Sequence, residues 1–208
     1  MAQGGGLRTA TVGVVEHGNS AVLVTVASDG VLLDRRRIDL TTGLPTHPYH
    51  HEGAWAVGRY LDSPWARPVS LPDAVALILR VHEAAALGAR AGLEALAGSI
   101  LLPIAGIAIR ACPALPPTIE ERIADNRAQV VADSVMYREA LATEAGRLGW
   151  PVHWYDRDLA FPQAARVLGC ASIEPLLKQL GRLHGPPWQA AHKLAAAAAL
   201  SIPMASRR

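Results

Sequence analysis

At 208 residues, half of them hydrophobic and with a formal charge of only +2, the chain suits one domain with one sizeable core, and its net charge does not by itself imply a polyanion partner. Gly, Pro or a charged residue interrupts the apolar runs before the roughly 18 residues that a membrane span needs, and the opening MAQGGGLRTATVGVV lacks the basic and apolar segments of a secretory signal. The expectation is no membrane and a cytoplasmic location. Cys112 and Cys170 are too few and too widely spaced for a disulfide framework or a zinc site, and they read as buried thiols.

In chain order, Thr9 to Val15 is rich in β-branched residues and ends at the turn cluster Glu16-His17-Gly18-Asn19. Ala21 to Ala27 predicts a second strand, Ser28-Asp29-Gly30 a turn, and Val31 to Leu40 a third strand carrying Arg35, Arg36 and Arg37. The first two strands are apolar on both sides and are expected at the centre of a sheet; the arginines place the third at an edge or on an exposed face. Residues 41–72 hold Pro45, Pro48, Pro64, Pro68 and Pro72, so a long irregular loop is expected there; loops of that length are usually functional or disordered, and Trp55 and Trp65 argue for order.

Ser70 and Asp73 predict a helix start, with the helix running to about Ala97. Ser99 to Ala111 is an apolar run bounded by Gly98 and Pro113 and is read as containing a buried strand. Thr118 and Glu121 have the spacing of a capping box before a periodic helix that Gly149 closes. On it, Asp125, Asn126, Gln129 and Asp133 form a polar line expected to face solvent. Pro151 to Tyr155 predicts a short strand. Helices then follow around Phe161 to Leu168, Ile173 to Leu183 and Pro187 to Leu200, with Pro187 suited to a first turn. No Asp or Glu follows Glu174, so Lys178, Arg182, Lys193, Arg207 and Arg208 make that region basic.

The chain thus reads as a single α/β domain over 1–208, with an irregular Pro- and His-rich loop at 41–72. The order of three strands, helix, strand, helix, strand and helices, with right-handed crossovers adding parallel strands to a meander, resembles the ribonuclease H-like superfamily. The resemblance implies a mixed sheet of a three-stranded antiparallel meander plus two parallel strands, with helices packed on it. Its nucleic-acid-cutting members hold two divalent metal ions on carboxylates. Glu16, at the end of the first strand, matches the first such position, and His192-Lys193-Leu194-Ala195 in the Ala-rich final helix is similar to the last helix of Holliday-junction resolvase-like nucleases. Two expected carboxylates are missing: Ala195 stands at one position, and no acid occurs between Glu94 and Glu120. Glu83 on the first helix is a further carboxylate such a site could draw on.

The local signal closest to a site is Thr46-His47-Pro48-Tyr49-His50-His51-Glu52, which concentrates metal-ligating and acid–base groups in one loop; its bland reading is hydrogen bonding within a Pro-rich loop. The catalytic candidates are therefore Glu16, His50, His51, Glu52 and His192. Glu16, His50 and Glu52 are the candidate ligands of a divalent metal ion, and Arg35, Arg36 and Arg37 the candidate phosphate contacts. Asp156 and Asp158, closing the fifth strand, are reserves. Single helical histidines such as His82 and His192 are more often packed than functional.

Three functions stay open on these residues. One is a ribonuclease H-like domain related to nucleic-acid-processing enzymes, with altered or lost catalysis and nucleic acid as partner. Another is a non-catalytic interaction module or homodimeric scaffold. The last is a small-molecule enzyme built on the histidine loop. P-loop, Rossmann dinucleotide, zincin and serine-hydrolase motifs are absent from the sequence.

Overall fold

The computed structural model describes residues 8–50 and 69–203. Three strands, β1 (Ala10–His17), β2 (Ser20–Ala27) and β3 (Leu32–Asp39), form an antiparallel meander; β4 (Ile104–Arg110) and β5 (Val152–Tyr155) join parallel to β1. The strand order is 3-2-1-4-5. These orders and orientations are the ribonuclease H-like arrangement that the resemblance implies. The apolar β1 is the central strand and the arginine-bearing β3 is an edge, as their composition requires.

Helices cover both faces. On one side lie α1 (Leu71–Ser99), α2 (Ile119–Ala124) and α3 (Asn126–Arg147); on the other lie α4 (Ala160–Leu168), α5 (Glu174–His184) and α6 (Ala190–Leu200). Side chains alternate along β1. Val12 and Val14 enter the core with α1 and α3, while Thr11 donates its hydroxyl to the Ala199 carbonyl of α6 at 2.9 Å.

The run Ala195–Ala199 is fully buried because α6 lies directly on β1. At Gly13 a methyl group would collide with the Ala195 carbonyl oxygen and sit 2.7 Å from the Ala199 nitrogen. Glycine below and alanines above let the two backbones approach, where any larger pair would hold them apart. This close approach brings the start of α6 to the end of β1.

Four expectations are corrected. The helix predicted from Thr118 to Gly149 is two helices. Thr118 makes its capping box with Glu121, but the Asp125 backbone is extended, and its carboxylate re-caps the chain by accepting from Arg127 N and Ala128 N. The polar line is solvated only where it starts: Asp125 and Asn126 are exposed, but Gln129 and Asp133 are buried, and the buried Arg138 joins them, whereas Val130 is 65% exposed. The last helix begins after Gln189, leaving Pro187 in the connector from α5. Both cysteines are free, but Cys170 is exposed and Cys112 only partly buried. Ser70 caps α1 by accepting from Asp73 N at 3.3 Å, as its sequence predicts.

Candidate functional site

Because β1, β4 and β5 are parallel, their C-terminal ends emerge at one edge of the sheet, where open α/β sheets place their ligands. Glu16 and His17 end β1, Arg110 ends β4, and Tyr155 ends β5 before Asp156, Arg157 and Asp158. The start of α6 completes the edge. A cavity of about 640 Å³ opens there, with Glu16, Arg110, Arg157, Asp158 and Lys193 among its lining. A second, of about 520 Å³, lies behind it toward α3 and is lined in part by Arg110, Cys112, Ser134, Arg138 and Asp156.

Glu16 is even-numbered on β1 and so points with Val12 and Val14 toward α3. There it accepts a hydrogen bond from Arg138 Nη2 at 2.6 Å. The two side chains are 7% and 6% exposed. Arg138 Nη1 also donates to the Ala111 carbonyl at 3.1 Å, which ties α3 to the end of β4. Burial works against the Arg138 charge, but the Glu16 carboxylate outweighs it and holds the guanidinium above its ordinary range. Beside them the Tyr155 hydroxyl donates to the Val14 carbonyl at 2.9 Å; burial first, then the Glu16 charge, pushes it up to about 12. Burial likewise raises the Cys112 thiol.

This donor set does not fit the metal pair of a ribonuclease H-like nuclease. Hard divalent ions need several oxygen ligands to balance their charge, and the Glu16 carboxylate is engaged by a buried cation that would repel them. β4 carries no acid, and Ala195 is buried against β1. Among the described residues no group of three His, Cys, Asp or Glu side chains is arranged to hold a metal. Glu83 is exposed on α1.

His192 is buried, its Nδ1 accepting from Gln189 N at 3.3 Å and its ring centroid 6.1 Å from that of Trp188. Burial, reinforced by Arg35, keeps its pKa below the ordinary value. Its neighbours Ala190, Ala191, Lys193 and Leu194 line the cavity with Glu16, but His192 does not.

The histidine loop does return to the β1–β2 turn. A methyl group on Gly18 would lie 2.6 Å from Thr46 Cγ2 and 3.8 Å from His47 Cε1, and the Tyr137 hydroxyl donates to the Thr46 carbonyl at 3.1 Å. The backbone amide of His50 reaches Asp133 of α3. The Asp133 carboxylate accepts from Tyr49 N at 2.9 Å and from His50 N at 3.4 Å, with His47 Nδ1 at 3.7 Å. His51 and Glu52 lie outside the described residues.

Of the three arginines on β3, Arg35 donates to the carbonyls of His184, Gly185, Pro186 and Pro187 at 2.6 to 3.0 Å, pinning the α5–α6 connector. Arg36 is held by Asp34 and Ser99. Arg37 is exposed, 3.9 Å from Asp39. The cations that do line the sheet edge, Arg110, Arg157 and Lys193, are scattered over three elements, and only topology brings them together. Arg138 left a fainter trace: a glutamate on a central strand must find a buried cation or lose its charge.

Solved structures that resemble the chain include two of RuvC. One is Thermus thermophilus RuvC in complex with a Holliday junction substrate, with a TM-score of 0.47, 14% identity, and coverage of 93% of this chain and 91% of that one. The other is a Thermus thermophilus RuvC structure, with a TM-score of 0.46, 13% identity, and coverage of 93% and 92%. No protein-family model and no curated protein matches the chain. The fold assignment rests on the strand order and orientations described above.

Proposed function

We propose that this chain is a ribonuclease H-like module that holds nucleic acid by its phosphates at the C-terminal edge of the sheet and does not cut it. The observation that carries the reading is the buried Glu16–Arg138 pair: an arginine occupies the carboxylate on which metal-dependent cleavage would depend. Phosphate binding is supported by Arg110, Arg157 and Lys193, which ring the same cavity against the single unengaged carboxylate of Asp158.

Two assays test the reading. With Mg²⁺ or Mn²⁺, single-stranded, duplex and branched DNA should survive incubation with the protein; cleavage that Glu16→Gln abolishes would overturn it. Fluorescence anisotropy with a labelled oligonucleotide should show log K falling with log salt at a slope of about −2, as about three phosphate contacts on a single strand require. Arg157→Glu with Lys193→Glu should flatten that slope, and salt-independent binding would refute the assignment.

A second reading, an interaction module that docks to protein, is favoured by the open edge of β5, where Trp154 is 50% exposed. Light scattering tests its self-association form: a mass that rises with concentration and reverts in Trp154→Ser supports it, and a monomeric mass throughout removes it.

A further inference from the structure

A third hollow, of about 690 Å³, lies between α5, the α5–α6 connector and the start of α6, and it shares Phe161 and Lys193 with the edge cavity. Its floor is apolar and aromatic, formed by Phe161, Leu177 and Trp188; Lys178 and Arg182 of α5 and Lys193 of α6 surround it, against one acid, Glu174. The three cations are exposed. Lys178 and Arg182 are one turn apart, so they share a face of α5.

The indole is fixed in place. Its Nε1–H donates to the Leu177 carbonyl at 2.8 Å, and a methyl group on Gly181 would collide with the ring, so glycine there lets the helix seat it. Arg35 anchors the connector that carries Trp188 through four carbonyls. A rigid aromatic wall beside three cations has the chemistry of a site for a planar ring bearing a phosphate.

Resting on the phosphate-binding reading above, we propose that this hollow receives an unpaired nucleotide of the same strand, its base against Trp188 and its phosphate among Lys178, Arg182 and Lys193. The module then prefers single-stranded or splayed nucleic acid, because bases inside a duplex are stacked on each other and cannot reach a protein ring. Lys193, common to both cavities, joins the two subsites.

The test compares three labelled probes of equal length by anisotropy: an oligothymidylate, the same backbone with abasic sites, and a blunt duplex. The oligothymidylate should bind about tenfold or more tighter than the abasic strand, the range expected for stacking one base. Trp188→Ala should remove the oligothymidylate's advantage over the abasic strand. Lys178→Glu with Arg182→Glu, both on the solvent face, should weaken oligothymidylate binding about tenfold. Equal affinity of the wild-type protein for oligothymidylate and abasic strand overturns the inference while leaving the edge-binding function standing, and so does unchanged affinity in the lysine–arginine variant. Absence of salt-dependent binding to every probe overturns both.

Discussion

Arg138→Met is the most informative single perturbation, because it separates a structural ion pair from a metal site. The substitution keeps most of the side-chain volume but leaves the Glu16 carboxylate buried without its cation and the Ala111 carbonyl without a donor. Breaking a buried pair by removing one partner costs about 3–5 kcal/mol; Glu16→Met, which strands the guanidinium instead, should cost a similar amount. The double variant removes both charges and leaves one carbonyl unsatisfied, a loss of about 1 kcal/mol. It should therefore be more stable than either single variant, with a coupling of at least about 2 kcal/mol. Urea unfolding followed by circular dichroism, with an unchanged m-value, gives the three numbers. Additive losses, or a single-variant loss below about 1 kcal/mol, would refute the pairing and return Glu16 to the list of metal ligands.

Burial raises Asp133 to about 7, against the opposing pull of the Tyr49 and His50 amides, from an ordinary 3.8. The folded protein thus binds that proton more tightly than the unfolded chain. The resulting stabilisation is full below the unfolded pKa and is lost as pH rises through about 7, a swing of roughly 4 kcal/mol at about 1.4 kcal/mol per unit. Asp133→Asn should flatten the dependence of the urea midpoint on pH between about 4 and 7, and a profile identical to wild type would count against it. Gly13→Ala pushes a methyl into the α6 backbone and should cost about 3 kcal/mol, lowering Tm by roughly 6–12 °C in calorimetry. Arg35→Met should speed amide hydrogen exchange in the connector before α6, with a stability loss of about 1–3 kcal/mol; unaltered exchange there would contradict the anchoring role.

What could be read without coordinates was local or periodic. The Ser70 cap, the Thr118–Glu121 box and the two-sided apolarity of β1 and β2 each depend on residues within a few positions, and each has the structural consequence its chemistry predicts. The helix break at Asp125 escaped because the apolar period continues through it, while the aspartate prefers to cap. Pro187 misled in the opposite way, since a proline that suits a first helical turn serves equally well in a connector. The buried polar face of α3 was misassigned because exposure depends on what packs opposite, and Glu16, the partner of Arg138, is 122 residues away in sequence. The edge site was legible only in Glu16, Asp156 and Asp158; its cations gain meaning when β1, β4, β5 and α6 converge. In the described part of the histidine loop, Thr46 lies against the β1–β2 turn and the Tyr49 and His50 amides bind Asp133, contacts that no local pattern announces.

The alanine-rich α6 leaves the ribosome after every other element of the fold, yet it is the lid over Thr11, Val24 and Ala108 at the middle of the sheet. Until it arrives, the nascent sheet presents a naked greasy surface flanked by two unpaired rims. A chain that stops short of Ala190 is therefore expected to leave that apolar face uncovered and to aggregate, which a light-scattering measurement on the truncated protein would check.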